Sequence, residues 1–123
     1  MQSNMKQDII IQEKSFRFAV RIVTLYKYLC DVNSEYVLSK QVLRSGTSIG
    51  ANIEETIGGQ SGKDFINKVT ISYKEARETV YWIKLLLATD YIDKEQADSL
   101  LADADEICRI LGTIQISLKN RNS

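Results

Sequence analysis

Not one proline interrupts the 123 residues of this chain, and of its six glycines three cluster in the only strong break, Gly58-Gly59-Gln60-Ser61-Gly62. Proline inside a helix removes a backbone donor and clashes with the preceding turn, so a chain without it keeps long helices intact. An all-α fold follows from this punctuation. At this length a single domain, 1–123, buries a real core without metals or disulfides.

Apolar periodicity divides the chain into helices at about 7–31, 35–57, 62–89 and 94–120. The first carries one line of Ile11, Phe18, Ile22, Leu25 and Leu29, and beside it a second of Ile9, Phe16, Ala19, Val20, Val23, Tyr26 and Cys30. A surface helix needs an apolar arc of only about 100°, so this one needs cover on two sides, from its own bundle or from another subunit. The second helix follows Asn33-Ser34-Glu35, a turn with capping side chains, and places Leu38, Val42, Ile49, Ile53 and Ile57 at helical spacing. In the third, Phe65, Val69, Ala76, Val80, Ile83 and Leu87 form the expected core stripe, with Ile71, Trp82 and Leu86 on a second line. The fourth runs Ala97, Leu100, Leu101, Ala104, Ile107, Cys108, Leu111, Ile114 and Leu118. Ser61 with Asp64, and Asp93 with Gln96, have capping-box spacing before the third and fourth helices. Short connections between long helices predict an antiparallel up-down-up-down four-helix bundle.

Gly46 and Gly50 sit four residues apart in the second helix. Each disfavours a helix interior by up to about 1 kcal/mol relative to alanine, and close approach by a neighbouring helix is the compensating reason. The pair is expected to form a packing ledge.

Sixteen basic and sixteen acidic residues cancel, so no overall positive field drives the chain onto nucleic acid. Residues 1–33 nevertheless hold five basic and three acidic side chains, net +2, and residues 93–123 hold four and six, net −2. The polar N-terminus does not read as a secretory signal and no apolar run approaches a membrane span, so a cytoplasmic protein with no membrane contact is expected. Cys30 and Cys108 fall on different helices and suit reduced thiols. Histidine is absent, which removes the commonest general base and metal ligand. An enzyme, a metal site and a cofactor are all unexpected.

The glycine-rich stretch before Lys63 fails as a phosphate loop, because Ile57 occupies the first required glycine position and Asp64 that of the Ser or Thr. Glu54, Glu55, Glu75 and Glu78 fail as a di-iron cluster for want of a histidine. On the first helix Lys14, Arg17, Arg21 and Tyr28 share one sector, a candidate nucleic-acid stripe whose alternative is an ordinary solvated face. Glu75 falls inside the apolar arc of the third helix, where a carboxylate needs a partner. Arg44, Asn52, Glu55 and Glu75 are therefore expected to form a network that sets helix register.

Three segments, Leu43 to Glu55, Gly62 to Lys68 and Lys74 to Trp82, resemble the four-helix-bundle family whose founding members are encoded by intervening sequences in bacterial 23S ribosomal RNA genes. That resemblance implies assembly into a homopentameric barrel. It also implies kinship with the accessory protein of diversity-generating retroelements, which binds reverse transcriptase and RNA. It brings Ser48 into the pattern with Arg44, Asn52 and Glu55, and points away from catalysis. The expected role is an oligomeric scaffold for RNA or an RNA-associated protein, the alternative being a protein-protein module with no nucleic-acid role.

Overall fold

A computed structural model describes residues 5–57 and 62–122. They form four helices: α1 (Met5–Asp31), α2 (Leu38–Ile57), α3 (Gly62–Ala88) and α4 (Lys94–Asn122). Each helix packs against its neighbours in chain order, and α1 closes the ring against α4. Among the described residues no diagonal pair comes into backbone contact. None of these helices is long and apolar enough to cross a membrane.

The helix ends are set by local chemistry. Asp90, with φ of 66°, stands in the left-handed region after α3, and its N–H and that of Tyr91 donate to the Leu87 and Leu86 carbonyls at 3.1 and 3.0 Å. This is the Schellman arrangement that satisfies the last carbonyls of a helix. At the start of α4 the capping box is reciprocal: the Gln96 N–H donates to Asp93 Oδ1 at 2.8 Å, and the Asp93 N–H to Gln96 Oε1 at 2.9 Å. The second helix begins at Leu38 rather than at 35, because Glu35 is spent on capping it. The Glu35 carboxylate accepts from the N–H groups of Val37, Leu38 and Ser39. Ser61 and the preceding glycine pair lie outside the described residues, and with them the expected capping box of α3.

Every helix contributes a core line stepping by alternate threes and fours. Ile11, Ser15, Phe18, Ile22, Leu25 and Leu29 are buried on α1, and Ala97, Leu100, Ala104, Ile107, Leu111, Ile114 and Leu118 on α4. A strict seven-residue repeat gives left-handed bundle packing. On α2 and α3 the same repeat corrects the expected core. Thr56 is buried and Ile57 is 49% exposed, because the repeat through Ile49 and Ile53 continues to 56. On α3, Ser72, Thr79 and Leu86 occupy the buried line, while Val80 and Leu87 pack at its edge.

Small residues on α2 explain how closely its neighbours approach. A β-carbon on Gly50 would stand 3.3 Å from the Ser15 backbone oxygen, and Ile22 covers Gly46 in the same way. The α1–α4 seam is bridged by long charged side chains.

Candidate interaction surfaces

The α2–α3 seam is held by polar groups that run from the exposed Arg44 to the buried Ser45, Ser72 and Thr79. Ser48 Oγ donates to Glu75 Oε2 at 2.6 Å, and Arg44 Nη1 donates to the same oxygen at 3.2 Å. The other Arg44 nitrogen pairs with Glu78 Oε2, which also accepts from Trp82 Nε1 at 2.8 Å. Deeper in the seam Thr79 Oγ1 lies 2.9 Å from Ser45 Oγ, and Ser72 Oγ donates to the Ile49 carbonyl at 3.0 Å. Burying hydroxyls and a carboxylate is tolerable here because each has a partner.

Arg44, Ser48 and Glu75 are thus brought together, and two expected members are not. Asn52 turns back on its own helix and donates to the Ser48 carbonyl at 2.8 Å. Glu55 is exposed and pairs with Lys68 at 2.6 Å; one turn beyond Asn52, it has passed the level of Glu75. Glu78, Ser45, Ser72 and Thr79 were missed. The signal for Ser45, Ser72 and Thr79 is that of small hydroxyl residues at core spacing, which Glu78 does not share. Of the four glutamates weighed as a metal cluster, Glu75 and Glu78 share Arg44, Glu55 holds Lys68, and Glu54 accepts from Gln12 at 2.8 Å.

Lys14, Arg17, Arg21 and Tyr28 lie on the side of α1 that faces α4, and this corrects the picture of a free cationic line. Lys14 pairs with Glu106 at 3.1 Å. Arg21 bonds Asp103 at 2.7 Å and the Ser99 hydroxyl at 2.9 Å. Tyr28 is half-buried and only Arg17 is exposed. The excess positive charge of the first helix and excess negative charge of the last therefore answer each other inside the molecule.

Four members of the second apolar line of α1 face outward in one sector, Phe16 at 68% exposure, Val20 at 52%, Ile9 at 51% and Val23 at 37%, while Ala19, Tyr26 and Cys30 are half-buried. Beside them a groove of about 300 Å³ opens between α1 and α4, lined by Val20, Arg21, Leu25, Tyr28 and Leu100 among others. Both cysteines are free and half-buried. Burial pushes the Cys108 thiol above its ordinary value, nearby Arg77 opposing and Asp105 adding to the shift, which leaves it a poor nucleophile.

Residues 7–113 match the family model described as 23S rRNA-intervening sequence protein. The chain belongs to that family. Among solved structures it is similar to a protein of unknown function from the S23 ribosomal protein family of Bacteroides thetaiotaomicron, at 54% identity and a TM-score of 0.84, over 85% of this chain and 97% of the other. No curated relative matches. Membership in the 23S rRNA-intervening sequence proteins agrees with the four-helix architecture.

Proposed function

We propose that this member of the family is a non-enzymatic scaffold of the cytoplasm that self-associates through the outward face of α1, as a pentamer by resemblance, and presents its remaining surface to RNA or an RNA-associated protein. The exposed line of Ile9, Phe16, Val20 and Val23 carries this reading. A monomer gains nothing by aligning four large apolar side chains in water, and contiguous patches of this kind mark interaction sites. The groove beside Val20 gives a neighbouring subunit's apolar side chain somewhere to insert, and a repeated heterologous contact closes into a ring when its rotation divides the full circle.

Light scattering at micromolar concentration tests the assembly. The wild type should run at five times the chain mass, and Phe16→Ser with Val20→Ser should reduce it to the monomer with helicity retained. A monomeric wild type overturns the reading.

The internal pairing of Lys14 and Arg21 favours a second reading, a protein-protein module without a nucleic-acid role. Retention of structured RNA by the wild type, weakening as salt rises, separates the two.

A further inference from the structure

We infer that the outward face of α3 is the surface that takes the phosphodiester backbone of RNA. This rests on the RNA half of the reading above and is independent of its self-association half.

At 100° per residue Lys63, Thr70, Lys74, Arg77, Tyr81 and Lys84 fall within a sector of about 80°. All but Thr70 are exposed. From Lys63 to Lys84 the line runs about 32 Å along the helix axis. Four cations without an ion pair share this one face, whereas Arg17, Lys27, Lys40 and Lys119, equally unpaired among the described residues, lie apart on the other three helices. Lys14, Arg21, Arg44, Lys68 and Lys94 each have an ion pair. Among the described residues Lys63, Lys74, Arg77 and Lys84 form none.

The acids of α3 are accounted for elsewhere. Glu75 and Glu78 turn toward α2 and are held by Arg44, and Asp64 acts on Lys68. The face left over is cationic and carries no acid of α3, although the chain as a whole is neutral. It continues into a shallow groove of about 550 Å³ against α4, where Arg77 is joined by Arg109 and Thr113, and Asp105 is the acid among the lining residues. Arg109 too has no ion pair among the described residues.

Charge complementarity selects a polyanion, and the aromatic selects nucleic acid. Tyr81 is 58% exposed in the middle of the cations and is braced edge-on by Trp82, with ring centroids 5.1 Å apart and planes at 71°. A fixed exposed ring among phosphate-binding cations is how single-stranded bases are stacked while their backbone is neutralised.

Fluorescence anisotropy of the full chain with a short single-stranded RNA and with a hairpin RNA, across a salt series, tests the inference. Lys74→Ala, Arg77→Ala and Lys84→Ala together should lower affinity about tenfold or more and flatten the logarithmic salt slope by about 2, since each backbone contact on a single strand contributes about 0.7. Tyr81→Ala should weaken binding about fivefold or more and leave the slope unchanged. The single reversal Arg77→Glu repeats the test with minimal disturbance of the helix, and circular dichroism confirms folding of each variant. Lys14→Ala, Arg17→Ala and Arg21→Ala together should leave affinity within about twofold.

Loss of binding in the α1 variant with none in the α3 variant overturns the inference while the RNA reading stands. Equal binding by wild type and α3 variant, or tighter binding of the wild type to anionic phospholipid vesicles than to RNA, also overturns it. A wild type that binds no RNA at low salt removes both the inference and the RNA half of the function, and the light-scattering result then stands alone.

Discussion

Ile22 lies directly over Gly46: a β-carbon built on the glycine would stand 2.7 Å from Ile22 Cγ1 and 2.8 Å from Cγ2. Isoleucine is branched at the β-carbon and fully buried here, so it has little freedom to swing aside. The α1–α2 distance is thereby tied to the absence of one methyl group.

Gly46→Ala should destabilise the protein by about 1 kcal/mol or more, overpacking outweighing the gain in helix propensity. Gly50→Ala should cost less, since its nearest contact is 3.3 Å. Urea unfolding of both variants checks the order. In the Gly46→Ala background, Ile22→Ala should cost less than it does in the wild type, and equal costs would mean that the contact does not limit packing.

Thr79→Val keeps the shape of a buried side chain and removes the hydroxyl beside Ser45. It should cost about 1–2 kcal/mol, because a buried polar atom loses its partner. Adding Ser45→Ala should return most of that loss. A double variant as unstable as the sum of the two singles would show that the two hydroxyls are uncoupled.

The Arg44 to Glu75 interaction should show a coupling of about 0.5–1 kcal/mol in a double-mutant cycle with alanine, since the arginine is half exposed and solvent screens it. Glu75→Gln tests the charge separately from the hydrogen bond to Ser48. Full wild-type stability and oligomeric mass in Glu75→Gln would remove the carboxylate from any part in helix register.

Acid should loosen the start of α2. Partial burial raises the Glu35 carboxyl, but the N–H groups of Leu38, Ser39 and Val37 and the Ser39 hydroxyl outweigh it and hold the pKa below the ordinary carboxylate value. A depressed folded pKa stabilises the protein above the unfolded value of about 4.3, and that stabilisation disappears as the pH falls through the folded value. Wild type should exceed Glu35→Gln in stability near neutrality, with the difference closing in this acid range. A constant difference across the titration would assign the effect to shape.

Much of the bundle was legible because a seven-residue apolar repeat survives in α1 and α4 almost unbroken, and the box at Asp93 and Gln96 is spelled by residue type alone. The core of α2 and α3 was harder to read. Apolar counting selects Val80, Leu87 and Ile57, whereas the repeat buries Thr79, Leu86 and Thr56; a hydroxyl is an acceptable core residue only once its partner across the seam is known. The same limit applied to charge. Lys14 and Arg21 look free along one helix, and only the position of Asp103 and Glu106 on α4 shows that they are spoken for. Lys74, Arg77 and Lys84 look no different in the sequence, and their isolation emerges from where Arg44 places Glu75 and Glu78.

With glycines toward α1 and hydroxyls toward α3, α2 works as a ruler between the two faces proposed to meet other molecules. Its short side chains leave no slack in either direction. The oily edge of one flanking helix and the cationic edge of the other are thus held at a set spacing, so a ring of subunits joined along α1 would carry its cations in regular, repeated rows.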